Sequence, residues 1–240
     1  MNTPHPISLP SHWPCLSGLK NSKQQALPVG TIYCIGRNYA EHAREMGSAI
    51  PSEPLVFIKP MGSLHIGNGY LDLPQQSNEV HHEVEWVLAI GTGGKNITKE
   101  QAWSHVAGWA IGIDFTARDL QKQAKDEGKP WTLSKGFDGF APVSSFTPRI
   151  SDLSPKGLTS YEIRLTVNGQ ERQRDRLGNM LFSAEELIAY LSSVFTLQPG
   201  DLIFTGTPSG VSEVISGDHC VAELYDSQGI PSQRLEYTIR

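Results

Sequence analysis

The stretch that decides the fold runs His81-His82-Glu83-Val84-Glu85-Trp86-Val87-Leu88-Ala89-Ile90-Gly91. Its second half is rich in Val, Leu, Ile and Trp and stops at a glycine, which predicts a buried β-strand. Because successive side chains of a strand point to opposite faces, Glu83 and Glu85 are expected to share one face. Val84 and Trp86 are expected to occupy the other face.

This pair of glutamates allows two interpretations. Two adjacent carboxylates repel each other, and burying each one costs several kcal/mol unless something compensates. A divalent cation such as Mg²⁺ or Ca²⁺ would remove both penalties, because hard ions take carboxylate oxygens as ligands. Alternatively, the pair lies on a solvent-facing edge with Glu85 near a lysine, which is the commoner situation for an isolated Glu-x-Glu. A metal site therefore requires a third ligand.

The composition bounds the class of protein. At 240 residues the chain can bury a sizeable core, and 38% apolar with 19% charged residues is typical of a soluble globule. A net charge of -5 without a basic cluster argues against a nucleic-acid partner, and no apolar run approaches a membrane span. Three widely spaced cysteines, Cys15, Cys34 and Cys220, indicate reduced thiols in a cytoplasmic protein.

Short β-like runs outnumber helices along the chain, without a regular βαβ alternation. Asn168-Gly169 between two such runs is a strong hairpin signal. The pattern predicts a mainly β, α+β fold, with a Pro-rich arm over residues 1–28 before one domain over residues 29–240. The predicted strands are Gly30–Gly36, Pro54–Lys59, Val84–Gly91, Gly108–Phe115, Tyr161–Asn168, Asp201–Thr205 and Cys220–Tyr225.

Three helices have clear boundary signals. Thr98 is expected to begin a short helix as part of a capping box, and Gly128 is expected to end a polar helix over 119–127. Ser183 is expected to cap a third helix. Its apolar residues recur at helical spacing: Leu187, Ile188, Leu191 and Val194.

Two further segments carry groups suited to catalysis. Asp114 follows an apolar strand, where it can serve as a third oxygen ligand or as the N-cap of the next helix, and the sequence favours neither. Asn38 is predicted to cap a short helix that ends at Gly47, which places His42 and Glu45 on one face. Such a pair can act as a general base for water, although an incidental surface pair is commoner.

Two loops contain groups that could bind an anion. Lys135 lies in a Gly-flanked loop, where it can neutralise an anionic substrate or be solvated. The loop Thr205-Gly206-Thr207-Pro208-Ser209-Gly210 can present N–H groups and hydroxyls to a carboxylate or phosphate. It lacks the Gly-Lys-Ser/Thr of a Walker A loop.

Taken together and in order, five segments resemble the fumarylacetoacetate hydrolase family. The resemblance is closest to its small single-domain members, the acylpyruvate hydrolase and oxaloacetate decarboxylase or tautomerase group, and spans roughly Ile32 to Glu223. The segments are Gly36-Arg37-Asn38-Tyr39, His82-Glu83-Val84-Glu85, Asp114-Phe115-Thr116-Ala117-Arg118-Asp119-Leu120-Gln121, Ser134-Lys135-Gly136-Phe137-Asp138 and Thr205-Gly206-Thr207-Pro208.

The resemblance implies a fold, a cofactor and a set of site residues. It implies a β-roll with a few short helices, usually a homodimer, with one Mg²⁺ or Mn²⁺ per site; three carboxylates also suit Ca²⁺. By resemblance, the metal ligands are Glu83, Glu85 and Asp114, and the catalytic residues are His42 and Glu45 on a lid helix together with Lys135. By resemblance, the substrate contacts are Arg37, Arg118, Gln121 and Thr207.

The implied reaction is metal-dependent hydrolysis of a C–C bond in a small 2,4-dioxo acid, an acylpyruvate, through a metal-stabilised enolate. The pair His42 and Glu45 favours hydrolysis. The alternatives are oxaloacetate decarboxylation or keto–enol tautomerisation at the same site. A non-catalytic metal-binding protein is a further alternative from a different class. The expected partners are a small 2-oxo acid and a second copy of the chain.

Overall fold

The computed structural model describes residues 15–20, 26–149 and 155–240, so residues 1–14 and 21–25 of the predicted arm lie outside the described residues. Strands dominate the described chain, as the sequence predicts. The helices are α1 (Ala40–Glu45), α2 (Lys99–Ala102), α3 (Arg118–Asp126), α4 (Thr132–Lys135), α5 (Pro155–Leu158) and α6 (Ala184–Val194). The strands are β1 (Cys15–Lys20), β2 (Ala26–Pro28), β3 (Ile32–Gly36), β4 (Leu55–Lys59), β5 (Leu64–Ile66), β6 (Gly69–Leu71), β7 (Val80–His82), β8 (Val84–Ile90), β9 (Val106–Ile113), β10 (Thr116–Ala117), β11 (Ala141–Val143), β12 (Thr147–Pro148), β13 (Glu162–Val167), β14 (Gln170–Arg176), β15 (Leu202–Phe204), β16 (Ser212–Glu213), β17 (His219–Tyr225) and β18 (Pro231–Ile239).

The largest sheet has the strand order β4-β3-β15-β8-β9-β11-β5, with β12 paired to β9. Every residue of β8 is buried, because one face packs towards a five-stranded sheet and the other towards the hairpin of β1 and β2. A strand covered on both faces needs apolar residues at consecutive positions. This explains the continuous apolar run that follows Glu85.

The pairing of β8 with β9 fixes the positions of the acidic residues. In this antiparallel register Val84 lies opposite Ile113 and Glu85 lies opposite Gly112. Just beyond it, the Asp114 N–H donates to the Glu83 carbonyl at 2.7 Å. Glu83 itself lies at the break between β7 and β8, one residue outside the strand. The register therefore brings acids from two separate segments together.

A second, five-stranded sheet has the order β14-β13-β17-β18-β6 and covers the large sheet. Its first hairpin turns at Asn168 and Gly169, as predicted, with φ values of 52° and 76°. Positive φ at both central residues matches the twist of the flanking strands, and Asn and Gly tolerate it best. The apolar core between the two sheets also receives α6.

Three local predictions were wrong in detail. The α1 helix begins after Tyr39, and the Asn38 side chain makes other contacts instead of capping it. Thr98 precedes α2, but its side chain makes no capping hydrogen bond. Val194, predicted to share the apolar face of α6, is exposed at its last turn. By contrast, the capping box at Ser183 is fully formed.

The described part of the arm forms a hairpin. Strands β1 and β2 pair antiparallel, and Leu16, Leu19 and Leu27 from this hairpin are fully or almost fully buried against the large sheet. Burying three leucine side chains stabilises a fold by about 1.5–3 kcal/mol each. Strands β1 and β2 were not predicted, because prolines and polar residues surround these leucines in the sequence.

Candidate metal centre

Three carboxylates converge at one end of strands β8 and β9. One oxygen each from Glu83, Glu85 and Asp114 lies within 4.8 Å of the others. The residues are 5%, 2% and 0% exposed, respectively, which rules out a solvent-facing edge for the pair. Asp114 does not cap a helix either, because α3 begins after Ala117. The structure thus brings together the three predicted ligands.

Three cations surround these carboxylates. Lys135 Nζ donates to Glu83 Oε2 at 2.7 Å and to Asp114 Oδ2 at 2.6 Å. Arg118 donates to Glu83 Oε1 at 2.5 Å, and Lys59 Nζ lies 2.6 Å from Asp114 Oδ1. Lys135 ends the short helix α4 and is buried, so it is neither in a loop nor solvated.

Lys59 was not identified from the sequence. It closes β4, and its ammonium donates to the carbonyls of Phe115, Lys135 and Phe140 at 3.1, 2.6 and 2.8 Å. An ammonium has three protons, and these carbonyls use all of them. A lysine at the end of an apolar strand looks the same in a sequence whether it is solvated or buried.

One buried oxygen of this cluster is held by an ion pair alone. Asp114 Oδ1 accepts no hydrogen bond of standard geometry from the described residues, and the Lys59 ammonium lies 2.6 Å from it. Three convergent carboxylates are the donor set that Mg²⁺ and Mn²⁺ prefer. These residues therefore fit a divalent cation.

The two glutamates differ in their electrostatic environments. Burial acts to raise the pKa of Glu83, but Lys135 and Arg118 outweigh it and hold the pKa well below its ordinary value. Burial, reinforced by Asp114 and Glu83, raises the pKa of Glu85 well above its ordinary value. Glu85 is therefore the carboxylate of the cluster that protonates most readily in the metal-free protein, and an arriving cation would compete with that proton.

Glu85 is oriented by the loop after β15. Gly206 has φ 98° and donates its N–H to Glu85 Oε2 at 2.7 Å. A Cβ at this glycine would lie 2.6 Å from Asn38 Cβ, so a larger residue would be both strained and crowded. The loop was predicted to offer N–H groups to an anion. In the structure two of them donate to the protein's own carboxylates, Gly206 to Glu85 and Gly210 to Glu45.

The predicted base faces this cluster from α1. His42 Nδ1 lies 3.3 Å from Glu45 Oε2, and Glu45 also accepts from the Gly210 N–H at 3.0 Å. Burial lowers the pKa of His42, against the opposing effects of Glu83 and Glu45. Because a carboxylate only accepts hydrogen bonds, neutral His42 carries its proton on Nδ1. This leaves Nε2 as the basic nitrogen.

The four predicted substrate contacts line the same cavity as the acidic cluster. Arg118 donates to Gln121 Oε1 at 2.7 Å, which fixes both side chains one helical turn apart on α3. Thr207 and Arg37 enter from the loops after β15 and β3. Sequence positions far apart, from residue 37 to residue 207, therefore meet around one cavity.

A second residue missed by the sequence analysis supports the cavity from behind. Gln173 accepts from the Val84 N–H at 3.0 Å and donates to Thr207 Oγ1 and the Pro208 carbonyl, both at 2.8 Å. Burial lowers the pKa of His82 to about 4, so His82 is neutral at pH 7, and its Nδ1 lies 2.9 Å from Gln173 Oε1. In the sequence, Gln173 sits among charged residues of a polar strand and carries no signal.

Comparison with known proteins identifies the family. The model of the fumarylacetoacetate (FAA) hydrolase C-terminal domain matches residues 31–236. The chain belongs to the fumarylacetoacetate hydrolase family. Members of this family include enzymes, and Glu83, Glu85 and Asp114 form a buried acidic triad that suits a divalent cation.

Several relatives within the family are close. A mitochondrial oxaloacetate decarboxylase of Dictyostelium discoideum is 44% identical over 78% of this chain and 84% of its own. A mitochondrial oxaloacetate tautomerase of Arabidopsis thaliana is 42% identical over 84% of this chain and 89% of its own.

A solved structure supports the fold assignment. The fumarylpyruvate hydrolase of Pseudomonas aeruginosa, solved with Mn²⁺ and pyruvate, superimposes with a TM-score of 0.84. It is 37% identical and covers 97% of this chain and 98% of its own. The predicted fumarylacetoacetate hydrolase-like fold is thereby confirmed. In the described ranges, no helix is long and apolar enough to cross a membrane.

Proposed function

We propose that this protein catalyses the keto–enol tautomerisation of oxaloacetate, with a divalent cation held by Glu83, Glu85 and Asp114. The observation that carries the proposal is the buried carboxylate triad with a neutral histidine facing it across one cavity. Relatives named as oxaloacetate tautomerases, at 42% identity in Arabidopsis thaliana and 41% in Escherichia coli, favour this reaction over the hydrolysis that the sequence put first.

The chain's own residues supply the proton transfer. When bound, the cation polarises the 2-oxo group of the substrate, which acidifies the neighbouring carbon. His42 Nε2 would accept the proton from that carbon and return it to the oxygen of the 2-oxo group, which gives the enol. Glu45 would hold the imidazole in the required tautomer. Tautomerisation needs no attacking water, so one base suffices.

Lys135 would supply fixed positive charge. Burial acts to lower the pKa of Lys135, but Asp114 and Glu83 outweigh it and raise the pKa above its ordinary value. Its ammonium is therefore charged throughout the neutral range and cannot serve as a base. A preorganised cation beside developing negative charge stabilises a transition state without reorganisation.

The test follows the enol form of oxaloacetate by its ultraviolet absorbance, with Mg²⁺ alone, with Mg²⁺ and protein, and with protein plus chelator. We expect protein to accelerate enol loss beyond the metal-only rate, and chelator to abolish the acceleration. Pyruvate formation distinguishes the two reactions: a decarboxylase would raise it above the metal-only rate, and a tautomerase would leave it at that rate. A tautomerisation rate that protein leaves unchanged would refute the proposal.

Hydrolysis of a C–C bond is the second candidate. It is supported by the similarity to a fumarylpyruvate hydrolase, and by the intact pair of His42 and Glu45, which could activate water. Incubation with acetylpyruvate distinguishes it, because a hydrolase releases acetate and pyruvate while a tautomerase releases neither. Proton NMR resolves both products in one time course.

We also propose that the protein is a homodimer, as the family resemblance implies. Ile58 on the edge strand β4 is 51% exposed and Leu133 on α4 is 79% exposed, which leaves apolar surface uncovered in one copy. Sedimentation equilibrium gives the mass directly, and a monomer mass would contradict the proposal.

A cytoplasmic location also stays a prediction, which cell fractionation would test.

A further inference from the structure

The cavity contains more positive charge than its carboxylates require. The three carboxylates of the triad are matched in number by three cations, Lys59, Arg118 and Lys135. Arg37 and Lys125 line the same cavity as well. In the described part of the chain, neither of these two side chains contacts a carboxylate.

Arg37 is held in an unfavourable backbone conformation. Its φ is 61°, in the left-handed region that residues other than glycine seldom occupy and that is costly for a long side chain. The next residue, Asn38, anchors this conformation: its amide donates to the carbonyls of Phe182 and Thr205 at 3.0 and 2.7 Å. These hydrogen bonds of Asn38 therefore help to hold Arg37 in its left-handed conformation beside the cavity.

Lys125 shares one face of α3 with two predicted substrate contacts. Arg118, Gln121 and Lys125 are spaced three and four residues apart, so they form one stripe along the helix, and all three line the cavity. Lys125 is at the end of this stripe, in the last turn of the helix. Without a ligand, its position is explained in part by the helix dipole, which favours a cation there.

An aromatic wall connects Lys125 with the metal end of the cavity. Lys125 Nζ lies 5.2 Å from the Trp131 ring centroid, and Trp131 packs against Phe57 at 5.5 Å. Lys135 Nζ lies 4.9 Å from the Phe57 ring centroid. The two ammonium groups thus occupy opposite ends of one wall, with the carboxylate triad at the Lys135 end.

The charges around Lys125 repel it. Lys125 is exposed as a whole residue, but partial desolvation of its ammonium, together with the charges of Arg118 and Arg37, lowers its pKa. Like charges that converge without an anion destabilise one another, and an anionic ligand between them removes the penalty. In a bound 2-oxo acid, the 2-oxo group and the carboxylate next to it would lie at the carboxylate triad. The far end of the cavity, beside Lys125, is then left for a second carboxylate.

We propose that Arg37 and Lys125 form a subsite for the distal carboxylate of a dicarboxylic 2-oxo acid. The subsite makes the protein select a four-carbon diacid over the monoacid of the same length. This inference rests on the proposed function, because it assumes that the 2-oxo acid end lies at the carboxylate triad. Neither residue moves a proton in the reaction, so the subsite sets affinity and orientation.

The test uses a pair of ligands that do not react. L-malate keeps both carboxylates and a chelating oxygen at carbon 2, and L-2-hydroxybutanoate has a methyl group in place of the distal carboxylate. Calorimetry on the full chain with saturating Mg²⁺ measures the Kd of each ligand. We expect wild-type protein to bind malate about tenfold or more tightly than 2-hydroxybutanoate, as charge-assisted hydrogen bonds allow.

The variants are Lys125→Met and Arg37→Asn, since asparagine tolerates a positive φ. We expect each to weaken malate about fivefold to tenfold and to change 2-hydroxybutanoate less than about twofold. Lys122→Met is the matched control: it removes the same charge from the same helix, at an exposed residue outside the cavity, and should change neither Kd. Retained melting temperatures show that the variants fold.

The outcomes separate this inference from the proposed function. Equal wild-type affinity for the two ligands, binding of neither, or equal weakening of both ligands in the variants would overturn the subsite. If malate selectivity depends on Arg37 and Lys125 but oxaloacetate is not tautomerised, the subsite stands and the proposed reaction fails. If oxaloacetate is tautomerised without malate selectivity, the reaction stands and the subsite fails.

Discussion

Gln173 is the side chain whose replacement tests most directly how the cavity is supported. Its amide joins the strand that carries the glutamates, through the Val84 N–H, to the loop that carries Thr207, through two donated hydrogen bonds. Gln173→Met keeps the length of the side chain and removes its polar atoms. The variant would leave the Val84 N–H and the Pro208 carbonyl without partners in a buried region.

The expected cost follows from these two backbone groups. Each buried unpaired group costs about 1–3 kcal/mol, so we expect the free energy of unfolding to fall by about 3 kcal/mol. For a chain of this size that corresponds to a fall in Tm of about 6–12 °C. Because Val84 lies between two predicted metal ligands, we also expect Mg²⁺ to bind about tenfold more weakly.

Urea unfolding measures the first effect and calorimetric Mg²⁺ titration the second. Gln170→Met is the matched control, since Gln170 is exposed on the same strand and its replacement should change stability by less than about 0.5 kcal/mol. If Gln173→Met and Gln170→Met gave the same stability and the same Mg²⁺ affinity, the described hydrogen bonds would not support the site.

Three further perturbations have defined outcomes. Lys59→Met should lower the free energy of unfolding by about 3–5 kcal/mol in urea, because it removes the partner of a buried charge; a loss no larger than that of Lys122→Met would contradict this. Because the pKa of Glu85 is raised, Mg²⁺ affinity measured by calorimetry should increase as the pH rises, by up to about tenfold per pH unit over the range in which Glu85 loses its proton. A pH-independent affinity would be the contrary result. His42→Gln should slow tautomerisation by about 10²–10⁴-fold in the enol absorbance assay while Mg²⁺ affinity stays unchanged. His219→Gln, at a partly exposed residue of β17, should change neither the rate nor the affinity. A wild-type rate for His42→Gln would exclude His42 as the base.

The central strands could be predicted because a strand buried on both faces has apolar residues at consecutive positions. β8 is apolar at every position after Glu85, and the hairpin at Asn168 has a turn sequence that few other structures tolerate. Strand β18 was not predicted: it reads Pro-Ser-Gln-Arg-Leu-Glu-Tyr-Thr-Ile, with buried residues only at alternate positions. A half-exposed strand with charged outward positions resembles a loop in composition.

The candidate site could be predicted only where residue type and position carried the signal together. Glu83, Glu85 and Asp114 were singled out because acids beside apolar strands are unusual, and the resemblance to the family then assigned them as metal ligands. Lys59, Gln173 and Lys125 have ordinary types at ordinary positions, and their contacts depend on how distant segments pack. The capping role expected of Asn38 failed for the same reason, since its Oδ1, the atom that would cap the helix, accepts from the Phe182 N–H far along the chain.

The balance between the carboxylate triad and its three cations has a consequence for the order of assembly. Since Lys59, Lys135 and Arg118 already oppose the negative charge, the polypeptide can reach its native arrangement before any ion arrives. Binding of the proposed cation and folding would then be separate events, and the ion could leave and return without unfolding the sheet. Under the proposed function, the active fraction of the protein would follow the concentration of the free divalent cation.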